Sequence, residues 1–298
     1  MQANMSTHKP LRGTRVTSLA LNLPGPAALM RLAQMGAHCT KINPPAGDPM
    51  QHYTPTGYAL LHHGVREKAL DLKSAKGQAA LHRLLANTDV LLTSFRPSAL
   101  RKLGLGWKTL QAQYPALSLI EVVGAPGALA EIPGHDLTYQ AEVDLVNGMD
   151  LPPSLFADMS GALMASEATL KALLALKITG KGSRHEVALS EAAAWLALPR
   201  QWRMTTPDGA VGGAHAGYRM YACKNGRVAV AALEPHFAAR LCAAAQVAVR
   251  DPIKDLFKAS TRQAIAAFLA QQTRSQLDKL ATEQDIPLMT LPPVSGTR

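Results

Sequence analysis

Cysteine is scarce. The 298 residues hold three, Cys39, Cys223 and Cys242, far apart and odd in number. That pattern offers neither a disulfide framework nor a metal-ligand spacing, and it suits a reducing compartment. Aromatic residues make up 5 % of the chain, poor material for stacking nucleic-acid bases. Charged residues are 17 % against 47 % hydrophobic, which excludes disorder as the dominant state. The most apolar helical stretch, Leu163–Ile178, is broken by Glu167, Lys171 and Lys177. It therefore falls short of the ~18 uninterrupted apolar residues of a membrane span, and no membrane partner is expected. The start, MQANMSTHKPLRGTR, lacks the apolar segment of a signal peptide. A cytoplasmic location is the expectation.

Positive charge is in excess. Lys and Arg number 31 against 21 acidic residues, a net charge of +10. Such a balance suits a polyanion: nucleic acid, a membrane surface or a phosphorylated small molecule. The charges are scattered, with no basic run and no zinc-finger, RNA-recognition or basic-zipper pattern, so nucleic acid is not the expected partner.

The hydrophobic pattern alternates in period. Arg15–Ala20, His38–Ile42, Asp89–Thr93, Leu117–Val123 and Glu186–Leu189 read as strands. Ala27–Met35, Ser74–Ala86, Met159–Thr179 and Ser190–Leu198 read as helices. Strands alternating with helices predict a parallel sheet in an α/β, Rossmann-like, doubly wound domain. Gly124–Ala157 is rich in Gly and Pro and reads as a long functional loop. A second Gly-rich stretch, Thr205–Gly217, sets the expected boundary. Residues 1–204 form a large domain and 205–298 a small α+β domain. The small domain opens with Tyr218–Cys223 and Val228–Ala232, a hairpin around Asn225-Gly226. Helices are predicted near Pro235–Ala245, Thr261–Thr273 and Ser275–Glu283.

Several chemistries lose their usual signatures. The first turn reads Leu23-Pro24-Gly25-Pro26, not GxGxxG, and neither GxxxxGK[ST] nor GxSxG occurs. No HExxH or similar cluster appears among the ten histidines. No nicotinamide, flavin or metal cofactor is expected. Local readings of the polar residues are modest. Asp158, just before a long helix, reads as an N-cap, with Gly161 at the third helical position. His135-Asp136 reads as a turn and Glu234-Pro235 as a helix entrance.

A series of blocks in order changes that reading. They are Leu11-Arg12-Gly13, Gly25-Pro26, Lys41-Ile42-Asn43-Pro44-Pro45 with Gly47-Asp48, and Lys68 with Leu70-Asp71-Leu72-Lys73. Next come Asp89-Val90 with Phe95-Arg96-Pro97 and Leu103-Gly104-Leu105, then Pro133-Gly134-His135-Asp136. Ala157-Asp158 with Gly161 and Gly226-Arg227 through Glu234-Pro235 complete the series. Together they resemble the family III CoA-transferase (CaiB/BaiF) superfamily, and within it the α-methylacyl-CoA racemases.

The resemblance implies an acyl-CoA substrate, an interlocked homodimer, and proton transfer at C2 of a 2-methylacyl-CoA. Inverting that carbon requires a base on each face, and the resemblance supplies Asp158 and His135. Glu234 would hold the His135 ring, from its own or the other chain. Backbone N–H groups at the start of the Met159 helix would meet the enolate oxygen. Lys41, Arg66, Lys68 and Arg96 would bind coenzyme A. In a transferase, Asp158 would instead attack the thioester carbonyl. A degenerate, non-catalytic CoA-binding relative is the third reading. It rests on the departures: Asn43 for a glutamate, Thr93-Ser94 for an acidic-polar pair, Glu142 and Asp144 in a short loop, and little chain beyond Ile286-Pro287.

Overall fold

Six parallel strands and their crossover helices make up the first unit of the computed structural model, which describes residues 8–294. Of the start read for a signal peptide, residues 1–7 lie outside the described residues. β1 (Arg15–Ser18), α1 (Pro24–Gln34) and β2 (His38–Asn43) are followed by α2 (Met50–Tyr53), α3 (Pro55–Leu61) and β3 (Arg66–Ala69). Then come α4 (Ala75–Leu85), β4 (Val90–Thr93), α5 (Pro97–Lys102), α6 (Trp107–Gln113) and β5 (Ser118–Val123). After α7 (Asp136–Glu142) and α8 (Phe156–Thr179), β6 (Arg184–Ala188) and α9 (Leu189–Leu196) end the unit.

The strands pair in the order β3-β2-β1-β4-β5-β6. The chain therefore builds outward from β1, then returns to its other side at β4. Central strands of a parallel sheet are covered on both faces, which demands continuous apolar runs. β4 and β5 are buried along their whole length. β3, Arg-Glu-Lys-Ala, is an exposed edge strand, and its polar composition hid it from pattern reading. One sheet face packs against α1 and α8 through residues such as Val16, Leu29, Leu32 and Ile120. The other packs Leu19, Leu91 and Leu119 against Leu81 and Leu85 of α4. By length and composition alone, α8 is long and apolar enough to cross a membrane. Here Ala157, Ala162, Ala165, Ala168 and Ala172 are buried in the first core.

The second unit begins at Leu198, ahead of the expected start at residue 205. The reason is local: Met204 N donates to Pro199 O at 2.9 Å and Val211 N to Met204 O at 3.2 Å. These bonds join residues 199 to 211 into one continuous turn on the second unit's side of the boundary. α10 (Leu198–Gln201), β7 (Tyr218–Cys223), β8 (Gly226–Ala231), α11 (Pro235–Ala244), α12 (Ala259–Ala270), α13 (Arg274–Gln284) and β9 (Leu288–Leu291) make up this unit. β7, β8 and β9 form an antiparallel sheet over a core that includes Val228, Leu241, Ile265 and Leu269. The hairpin is real, but its two connecting residues are Lys224 and Asn225. Gly226 already pairs with Cys223, and a Cβ there would lie 2.3 Å from the Leu291 carbonyl oxygen. That glycine admits β9, the strand with no sequence signal of its own, rather than making the turn.

One buried carboxylate ties the loop after β1 to β2 and to the start of α2. Asp48 pairs with the Lys41 ammonium, and both side chains are fully buried. Its oxygens also accept from Asn22 N at 3.1 and 3.2 Å and from Met50 N at 3.0 Å. Asn22 holds φ +62°, so the loop after β1 is fixed in a conformation few residues adopt freely. Burial pulls the Lys41 pKa down, while Asp48 pulls it up. Removing one partner strands the other charge. Lys41→Met or Asp48→Asn should cost about 3–5 kcal/mol in urea unfolding, and Lys41→Met with Asp48→Leu should cost less than either single change.

Candidate active site

A cavity of about 520 Å³ opens at the carboxyl ends of β1, β4 and β5. Leu21 to Pro24 from the loop after β1 form one wall, and Ser94 to Arg96 after β4 another. This is where the strand order reverses, the place where open α/β sheets leave a crevice between diverging loops. His135, Asp136, Tyr139 and Asp158 line the same cavity. Three of the expected site residues, Asp158, His135 and Arg96, are thus brought together.

Local folding differs from the sequence reading in ways that matter. The segment 124–157 is not all loop: it contains a 3-10 turn, Gly127–Glu131, and α7. His135 is the residue that caps α7, not part of a bare turn. Its backbone N–H donates to Thr138 Oγ1 at 3.1 Å, and Thr138 Oγ1 donates to the His135 carbonyl at 2.7 Å. α8 starts three residues earlier than predicted, with Leu155 as its N-cap. Asp158 is therefore the third helical residue and no cap. Gly124 and Gly134 let the Tyr139 ring into the wall, since Cβ atoms there would lie 2.2 and 2.6 Å from its hydroxyl.

The cap falls to a different carboxylate. Asp136, only 5 % exposed, accepts from Asp158 N at 3.0 Å through Oδ1. Its Oδ2 accepts from Gln140 Nε2. Asp136 is the first residue of α7, where a negative charge also meets the positive end of the helix. The Asp158 N–H and the Met159 N–H, which donates to Leu155 O at 3.0 Å, are both engaged. The expected enolate-binding role therefore does not fall to these two amides. The Asp158 carboxyl, moreover, sits partly buried beside a second carboxylate. Burial first, and the Asp136 charge second, push its pKa from 3.8 up to about 7.

The remaining expected residues fall elsewhere. Lys41 is fully buried on Asp48 and offers no cation to a phosphate, so its assignment to coenzyme A is corrected. Arg66 lines a different cavity, with Arg15, Val16 and His38 at the amino ends of the strands. Its assignment is corrected too. Lys68 lies on exposed β3 and lines neither of the cavities at the carboxyl ends. Glu234 belongs to the second unit, where it is the N-cap residue of α11 and its carbonyl accepts from Ala238 N at 2.9 Å. Two cations outside the expected set take a place instead. Lys73 and Lys102 line a second cavity of about 930 Å³, shaped largely by Ile42, Pro44, Leu72 and Leu103. Phe95 lines both cavities. The signal for Lys73 was present in the sequence, since it closes the same block that Lys68 opens.

The model of the family described as CoA-transferase family III matches residues 11–297. Cinnamoyl-CoA:phenyllactate CoA-transferase of Clostridium sporogenes is 33 % identical over 202 residues, 61 % of this chain and 49 % of that protein. Alpha-methylacyl-CoA racemase of Mus musculus is 32 % identical over 249 residues, 78 % of this chain and 63 % of that protein. This chain thus spans about half to under two thirds of the length of these relatives. The crystal structure of a hypothetical protein (Rv3272) from Mycobacterium tuberculosis superposes with a TM-score of 0.83 at 24 % identity, covering 95 % of this chain and 85 % of that one.

A carboxyl with a raised pKa makes stability depend on pH. The folded state holds the Asp158 proton more tightly than the unfolded chain. The resulting stability is present at low pH and lost as pH rises from about 4 to about 7. Asn carries no such charge. Asp158→Asn should therefore gain about 1–2 kcal/mol on wild type between pH 5 and pH 8 in urea unfolding, discounted for partial exposure. A pH-independent difference would return Asp158 to an ordinary carboxylate.

Proposed function

We propose that this chain, which belongs to CoA-transferase family III, works on acyl-CoA thioesters and moves the proton at C2 of a 2-methylacyl group. The observation that carries the reading is that Asp158 and His135 line one cavity at the sheet's switch point. A thioester acidifies its α-carbon, because sulfur donates weakly into the carbonyl. Inversion needs a group on each face that takes the proton in one direction and returns it in the other. Asp158, titrating near 7, suits both tasks at neutral pH. His135 is the second base. With the Asp158 amide engaged, the first-turn N–H groups of α7 at Asp136 and Leu137, both on the cavity wall, are the donors for the thioester oxygen.

Coenzyme A is assigned to both cavities. The acyl thioester enters the first, beside Arg96. The neighbouring cavity takes the nucleotide end: it has apolar walls for adenine, and Lys73 and Lys102 for phosphates. Phe95, shared by both, marks the passage between them. A homodimer is part of the proposal. Met159, Leu163, Leu174 and Ile178 of α8 are exposed, an apolar stripe at helical spacing that a second copy would cover.

CoA transfer is the second reading, supported by the 33 % identity to a CoA-transferase. There Asp158 attacks the thioester carbonyl, expels the CoA thiolate and carries the acyl group as a mixed anhydride. The two reactions part in D₂O. A racemase incorporates deuterium at C2 into both epimers and leaves free acid unlabelled. Asp158→Asn should abolish exchange, and His135→Ala should slow inversion by about 10²-fold or more. Exchange of labelled acid into the thioester without C2 deuterium would establish the transferase. Neither signal across a panel of acyl-CoAs, with CoA still bound, would leave a binding protein.

A further inference from the structure

The opposite end of the sheet carries a feature the proposed reaction does not use. In-register pairing places Arg15 beside His38, Thr17 beside Thr40, and Thr40 beside Arg66. Alternation along each strand puts these side chains on a single face of the sheet. That face is apolar further along, where Leu19 and Ile42 join the leucine core under α4. Only its amino end is polar. A covered parallel sheet normally shows no such patch. Arg83 and Asn87, from the end of α4 and the turn after it, face the same cavity, whose volume is about 470 Å³.

Of the three arginines there, only Arg15 has a carboxylate partner among the described residues. Asp89 accepts from Arg15 N at 2.7 Å and reaches the Arg15 guanidinium at only 3.8 Å. Among the described residues no carboxylate pairs with Arg66 or Arg83. Glu67, next to Arg66, accepts from Asn43 at 2.8 Å and from Tyr58. The last carbonyls of α4 are also occupied. Leu84 O accepts from Asn87 N at 3.0 Å and from Thr88 Oγ1 at 2.8 Å, and Leu85 O accepts from Thr88 N at 3.0 Å.

We propose that this cavity binds a small molecule through one or two phosphate groups, at a site separate from the acyl-CoA cavities. Two guanidinium groups without carboxylate partners supply forked donors that match phosphate oxygens. The Thr40 hydroxyl, beside Arg66 in the register, adds a donor that carries no charge; that of Thr17 is engaged by Thr88 Oγ1 at 2.8 Å. β1 itself, about 13 Å of strand, separates this end of the sheet from the cavity that Asp158 lines.

The probe is pyrophosphate, titrated calorimetrically at low ionic strength. One site is expected, with affinity unchanged by saturating CoA. Arg66→Gln with Arg83→Gln should weaken it at least tenfold, whereas Arg31→Gln, an exposed arginine on α1, should not. Both target arginines are exposed, and circular dichroism checks that the variants fold. Arg83→Glu alone provides an independent second variant. No heat with wild type, equal binding by the double variant, or displacement by CoA would overturn the proposal. So would binding of a single-stranded oligonucleotide, tightening with its length, in place of pyrophosphate.

Discussion

The strand order is the constraint on which the rest of the first unit depends. Two strands, β2 and β3, grow outward from β1 on one side, and three, β4 to β6, follow on the other. The loops leaving β1 and β4 must therefore diverge, and no crossover helix can fill the gap between them. The cavity that holds Asp158 occupies that gap. Its walls are then a matter of fixing loops. Asp48 does this on the β1 side by drawing Asn22 N, Met50 N and the Lys41 ammonium onto one carboxylate. Glu131 does it on the β4 side, accepting from Ser98 N and Ser98 Oγ, each at 2.7 Å. Both anchors are carboxylates that satisfy backbone donors, so each loop is held by charge-assisted bonds rather than by packing alone.

Asp136 shows how positioning and tuning come from one contact. Capping α8 with a carboxylate orients Asp158 and brings a second negative charge beside it. A neutral cap, such as serine, would hold the helix equally well without adding to the rise that burial already causes. The arrangement costs stability at neutral pH, where burial and the neighbouring carboxylate disfavour the Asp158 charge, and it delivers a carboxyl poised near 7. Costs of this kind gather where chemistry requires them.

Much of the architecture was legible in the sequence because it rests on period. The helices of Ser74–Ala86 and Met159–Thr179, the apolar strands β4 and β5 and the hairpin near Asn225 all appear close to their predicted places. What escaped has physical causes. β3 is polar because it is an edge, and β9 is too short to show alternation. α7 was hidden because its start, Pro-Gly-His-Asp, is turn chemistry, and its cap bonds run through Thr138 and the backbone. Asp158 and His135 were singled out by resemblance, not by spacing. Asp136, beside them, has the sequence signature of a turn, since nothing local reveals which buried carboxylate will receive a distant helix's amide.

The cations mark the limit of reading charge from sequence. Lys41, Arg66, Lys68 and Arg96 are alike in the sequence: basic residues at or just beyond strand positions. Position along the strand decides what each can touch. Arg96 follows the carboxyl end of β4 and reaches the crevice. Arg66 opens β3 at the other end. Lys41 points from β2 into the interior, where Asp48 neutralises it. A net charge of +10 is thus not one field aimed at one polyanion. Part of it is neutralised internally, part flanks the carboxyl-end cavities through Lys73, Arg96 and Lys102, and part collects at the amino end with Arg66 and Arg83. Because a strand's two ends lie on opposite edges of its sheet, a short offset along the chain decides which of these groups a basic residue joins.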